Sequence, residues 1–277
     1  MDEKKKSQIP PPRHLKKREK EEEYFKKLEA QKIQALKQKL KTELEKEEKP
    51  LPEKAPFRAR FRYLLEAILV FLFALVLTRG LVSLKSDWLE RYLHIILAGI
   101  WLYLPAFFMF REKESLEDFA LARLNFWASL KWFFLVSLLI LPGFYLVLWF
   151  GAQKFLSYGF RLTLPSHFFN LSLFQLLLVS FPEEWFFRGY LQGRFNQVFG
   201  RPKKFLGVQL GWGWFLASLL FALAHFTIRA QPERLLVFFP ALVFGWLREK
   251  TNSLLAPVLF HFLSNLSFII FQISLIR

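Results

Sequence analysis

Three short patterns in this chain hold residues able to move a proton or steady a negative charge: Glu183-Glu184-x-x-x-Arg188, Phe221-x-x-x-His225 and His261-x-x-x-Asn265. The first closes a long apolar run, Phe168 to Phe181. Ionisable side chains at membrane depth are costly and point to function by default. On a helix, Glu184 and Arg188 stand at i,i+4 with the glutamate on the amino-terminal side, the favourable order for a pair. Arg188 is therefore expected to neutralise Glu184 and leave Glu183 facing elsewhere. Two negative charges side by side in a medium of low dielectric repel, so a proton is readily held between them, which is what a general base needs. His225 shares a helix face with Phe221. His261 and Asn265, again at i,i+4, share a face, and both can donate a hydrogen bond to a developing oxyanion. Each pattern also has a plainer reading: an ion-paired helix end, a satisfied core histidine, and polar side chains joining two helices.

Taken together, the three patterns offer proton transfer, water activation and oxyanion stabilisation, and peptide-bond hydrolysis within a bilayer fits that set. Elimination narrows the chemistry. The chain has no cysteine, so thiol nucleophiles, thiolate metal sites and disulfides are excluded. Its aspartates, Asp2, Asp87 and Asp118, all lie outside the apolar runs, which removes a two-aspartate membrane protease. Neither His-Glu-x-x-His nor Gly-x-Ser occurs. Two other classes stay open: a non-catalytic scaffold that regulates a partner through the same cavity, and a transporter using the carboxylates and histidines as a proton path. A transporter would be expected to show inverted repeats, and none is visible.

The elements that must position these residues are membrane helices. Hydrophobic residues make up 53% of the 277, with 35 Phe and 9 Trp, and apolar runs near the span length recur. The expected fold is all-α, a polytopic helix bundle of about seven spans: 63–84, 92–110, 130–150, 168–191, 211–226, 235–247 and 254–276. Pro142-Gly143 predicts a kink in the third span. Glu66 and Arg79 are expected to snorkel from the ends of the first. Connections 111–128, 192–210 and 248–253 hold more Lys and Arg than those between them. The second carries Arg194, Arg201, Lys203 and Lys204, and the third Arg248 and Lys250. The positive-inside rule then puts the amino terminus in the cytoplasm and the chain in a cell (inner) membrane.

Residues 1–62 form a separate charged region, followed by a membrane domain over 63–277. The net charge of +16 would suggest nucleic acid in a soluble protein. Here flanking lysines and arginines that meet anionic lipid are the better reading, with no nucleic acid implied. Strong helix formers from Arg18 to Lys49 predict a basic cytoplasmic helix against solvent or the membrane surface, and Pro50, Pro52 and Pro56 a short linker. The first apolar run follows about sixty polar residues, so no cleavable signal peptide is expected.

The three motifs, in this order on separate spans, resemble the CPBP group of intramembrane proteases, which includes the type II CAAX prenyl endopeptidases, the abortive-infection proteins and the lysostaphin-resistance-like proteins. Phe244-Gly245-Trp246-Leu247, then Thr251 through Pro257 to His261, is also similar to the family's segment between its last two motifs. The resemblance covers about 168–270. Its Pro182-Glu183-Glu184-Trp185-Phe186-Phe187-Arg188 form is similar to the bacterial glutamic-type branch. The resemblance implies an endopeptidase acting on a membrane-anchored protein or peptide. Glu183 would be the general base on water, helped by His225. His261 and Asn265 would bind the oxyanion, and Arg188 would hold Glu184. A zinc-dependent version would make Glu183, His225 and His261 the ligands, with water in an open position. The metal-free version is preferred because no short-spaced ligand pair is present.

Overall fold

A computed structural model describes residues 26–38, 57–84, 86–111, 116, 119–121 and 124–276. The chain divides into two compact units, Met1–Leu51 and Pro52–Arg277. In the first, residues 26–38 form a helix (α1) exposed along nearly its whole length, with Leu28 half-buried. The ends of the helix predicted over Arg18–Lys49, and the proline linker after it, lie outside the described residues. So do residues 112–115, 117, 118, 122 and 123 of the predicted connection 111–128.

The second unit is a bundle of apolar helices. Its first three are α2 (Phe57–Ser83), α3 (Asp87–Arg111) and α4 (Phe126–Leu156). Asp87 and Glu90 in the first turn of α3 and Arg111 in its last complement the helix dipole. Pro142 lies inside α4, which runs on through it without a break. The predicted fourth span is one helical path over 168–199 that changes pitch twice. It runs as α5 (Phe168–Phe174), a wide π segment (Gln175–Ser180), the four-residue α6 (Phe181–Glu184), a second π segment (Trp185–Leu191) and α7 (Gln192–Phe199). Pro182 has no N–H to donate, and the wide turns on either side of α6 absorb the disruption. The last three helices are α8 (Trp212–Arg229), α9 (Phe238–Thr251), entered through a 3-10 turn at Pro232–Val237, and α10 (Leu255–Ser274).

Two small antiparallel ribbons complete the unit. β1 (Gly159–Phe160) pairs with β4 (Leu275–Ile276), and β2 (Lys203–Phe205) pairs with β3 (Val208–Leu210). The second ribbon turns through Leu206 and Gly207, at φ 47° and 75°, the left-handed pair that a tight hairpin needs.

Four helices, α2, α3, α4 and α10, are long and apolar enough to cross a membrane, and Trp212–Ile228 is a shorter apolar helix. By length and composition these helices suit a membrane protein. The core gathers where the broken path meets its neighbours. Phe186, Phe187, Tyr190, Leu191 and Phe195 pack with Phe71 of α2, Trp101 of α3, Phe221 of α8, Phe244 of α9 and Phe260 of α10. In lipid such contacts hold helices by close packing rather than by exclusion of water. Gly245 permits a close approach of α9 to α7 and α8. A methyl group there would stand 2.8 Å from Gln192 Oε1 and 2.7 Å from the Trp214 ring.

Several charges depart from the sequence reading. Glu66 does not snorkel. Its Oε1 accepts from Tyr190 Oη at 2.8 Å and from Arg194 Nε at 3.0 Å. Arg194, expected in a loop, is fully buried on α7, and its guanidinium lies over the Tyr63 ring at 4.6 Å. Arg248, also expected in a loop, is fully buried because α9 continues to Thr251. In each case the helix outlasts its apolar stretch, and a buried partner replaces water as the counter-charge.

Candidate active site

The site is assembled from α6 with the second π segment, α8 and α10. The fully buried Arg188 donates from one terminal nitrogen to Glu184 Oε1 at 3.1 Å. Its other terminal nitrogen donates to the Ala241 carbonyl at 3.1 Å. The guanidinium also lies over the rings of Phe221, at 4.4 Å, and Phe244, at 4.9 Å. Arg188 is thereby fixed to three helices, and Glu184 with it. This is the i,i+4 pair that the spacing predicts.

Both histidines are oriented through Nδ1. His225 Nδ1 is 2.9 Å from the Phe221 carbonyl, which can only accept, so Nδ1 carries the proton. His261 Nδ1 is 2.8 Å from Glu184 Oε1. That oxygen already accepts from Arg188, so Nδ1 of His261 is the donor too. The His261 ring stacks on Phe244, centroids 4.8 Å apart at 14°. A neutral imidazole with its proton on Nδ1 has a bare lone pair on Nε2. The two Nε2 atoms lie 3.9 Å (His225) and 3.8 Å (His261) from Glu183 Oε2. Oε2 is itself buried and makes no hydrogen bond among the described residues. Three polar atoms, Glu183 Oε2 and the two Nε2 atoms, thus surround one small space.

Glu183, Glu184, Arg188, His225 and His261 therefore meet in one cluster. Asn265 stands one turn beyond His261, and its side-chain nitrogen donates to Gln175 Oε1 at 3.3 Å. Sequence reasoning missed Gln175, although a carboxamide interrupting the apolar run Phe168 to Phe181 is itself a signal. Phe244 entered that reasoning only as part of a family-like segment, and its place as the platform for both His261 and Arg188 emerges from the structure.

The same three atoms are those a zinc ion would need. Two ligands about 2.0–2.1 Å from a tetrahedral ion stand about 3.3 Å apart. The two separations at Glu183 Oε2 are wider, at 3.9 and 3.8 Å. No group of three or more His, Asp or Glu among the described residues is arranged to hold a metal ion. A water molecule suits the wider spacing, since it can donate to two acceptors at ordinary hydrogen-bond length.

Residues 165–267 match the family model of the Rce1-like, type II CAAX prenyl endopeptidases. No curated protein and no solved structure matches the chain. The matched segment contains all three motifs and every side chain of the cluster. The match supports membership of the CPBP family of membrane proteases, which are peptide hydrolases.

Proposed function

We propose that the chain is an intramembrane endopeptidase that cuts a membrane-anchored protein or peptide, with Glu183 as the general base on water. The observation that carries this reading is Glu183 Oε2: buried, without a hydrogen bond among the described residues, and facing Nε2 of both His225 and His261 at 3.9 and 3.8 Å. Water held there donates to Oε2 and to His225 Nε2. Its oxygen attacks the scissile carbonyl carbon while its proton passes to Glu183. The carbonyl oxygen becomes an oxyanion, stabilised by the carboxamide of Asn265 and by His261.

His261 can donate from Nε2 only if it carries a second proton, because its first is turned toward Glu184. We assign it that proton in the reacting state. The two carboxylates are offset by Arg188 and one imidazolium, which leaves the cluster neutral in a medium where net charge is expensive. When the tetrahedral intermediate collapses, the C–N bond breaks and the leaving amine takes the proton held by Glu183. Glu184 and Arg188 touch no reacting atom; they hold the His261 ring and its charge.

No step in this scheme uses a metal. The chain would sit in the cell (inner) membrane with its amino terminus in the cytoplasm, where the basic region 1–62 meets anionic lipid. The test compares membrane peptides in cells that carry the wild type or a Glu183→Gln copy. A precursor that accumulates only with Glu183→Gln supports the reading. Identical peptide patterns, with both proteins present at equal levels, would overturn it in favour of a scaffold.

A further inference from the structure

We infer that Gln175 is a positioning residue for this reaction and acts by fixing which end of the Asn265 carboxamide faces the substrate. The inference rests on the proposed role of Asn265 as an oxyanion donor. A carboxamide presents N–H on one side and C=O on the other, and a half-turn of its last torsion exchanges them. Only the N–H side stabilises an oxyanion; the oxygen side would repel it. Something must therefore hold the orientation before substrate arrives.

Gln175 has the required chemistry and place. Its Oε1 accepts from Asn265 Nδ2 at 3.3 Å, which pins the nitrogen end and leaves the second N–H on that nitrogen for another acceptor. The contact joins α10 to the chain eight residues before Glu183, and both side chains are half-buried. Gln175 opens the first π segment, in which Phe181 N–H reaches the Leu176 carbonyl five residues back. The surplus residue in such a turn shifts the helical phase between Gln175 and the acidic pair. The segment packs along α10, so it brings the glutamine to Asn265 and the glutamates to the histidines from one continuous path. An apolar residue at 175 would fill the space equally well, which makes the amide the informative part.

The test is a double-mutant cycle on the full chain in its membrane, read as the processing rate of the peptide that accumulates with Glu183→Gln. Gln175→Met keeps the length of the side chain and removes the acceptor. Its expected cost is about 10-fold in kcat with KM unchanged, a part of the ~10²–10³-fold loss expected for Asn265→Ala. In the Asn265→Ala background, Gln175→Met is expected to cost nothing further. A purely structural glutamine would lower the rate by the same factor in both backgrounds, and that result would overturn the inference. So would an unchanged rate for Gln175→Met beside strong losses for Glu183→Gln and Asn265→Ala. If those two variants process at the wild-type rate, the peptidase reading itself has failed.

Discussion

The chain buries two kinds of carboxylate. Glu249 on α9 is saturated. It receives Gln192 at 2.8 Å, Asn196 at 2.7 Å and Arg248 at 2.6 Å, and Arg201 stands 3.2 Å from its second oxygen. Glu183, two helices away, faces imidazoles at 3.9 and 3.8 Å and bonds to neither. Both lie among aromatic and aliphatic side chains, so burial alone does not separate a structural charge from a reactive one. The number and length of their hydrogen bonds does. A fully bonded carboxylate has nothing left to offer a substrate. An under-bonded one destabilises the fold and is retained where it does chemistry.

Substitutions at the two sites should therefore fail in opposite ways. The largest effect is on rate: Glu183→Gln should cut processing about 10²–10⁴-fold while the thermal midpoint of the purified protein stays within a degree or so of wild type. A midpoint that collapsed together with the rate would erase the contrast. Next is Glu249→Ala, which removes the carboxylate that Arg248 and Arg201 face. Its expected cost is about 3–5 kcal/mol of stability, read by denaturation in detergent, with activity per folded molecule unchanged. Glu66→Gln is milder. It keeps an acceptor for Tyr190 but removes the charge opposite Arg194, for a loss of about 1–3 kcal/mol and a normal rate in what remains folded. The smallest effect is expected from a strong chelator, which should leave the rate of peptide processing unchanged; a loss restored by added zinc would move Glu183, His225 and His261 into the role of ligands.

The reactive cluster was more legible in the sequence than the structural one. Glu184 with Arg188, and His261 with Asn265, are same-face pairs at a four-residue spacing, which reads directly from a helix. The apolar runs likewise located the long helices, although α2 begins at Phe57 and α7 ends at Phe199, beyond the stretches hydropathy marks. Glu66 and Arg194 were misread because their partners lie on other helices, and Arg248 because α9 runs on past its apolar stretch. A charge near the end of an apolar run looks the same whether it faces headgroups or a counter-ion 128 residues away. The two π segments leave no residue preference to read, so the pitch change that brings Gln175 to Asn265 emerges only from three-dimensional packing. The β2–β3 ribbon was missed for a similar reason: Leu206 is an unusual occupant of a left-handed turn position.

The bond between Glu66 and Arg194 has a consequence for biosynthesis. The ribosome makes Glu66 128 residues before its counter-charge. Helix α2 is therefore made before its carboxylate can meet Arg194, and the pair forms only once α7 has been synthesised and has docked. From then on α2 is fastened to the path that carries Glu183, so the bundle closes only once that path is in place.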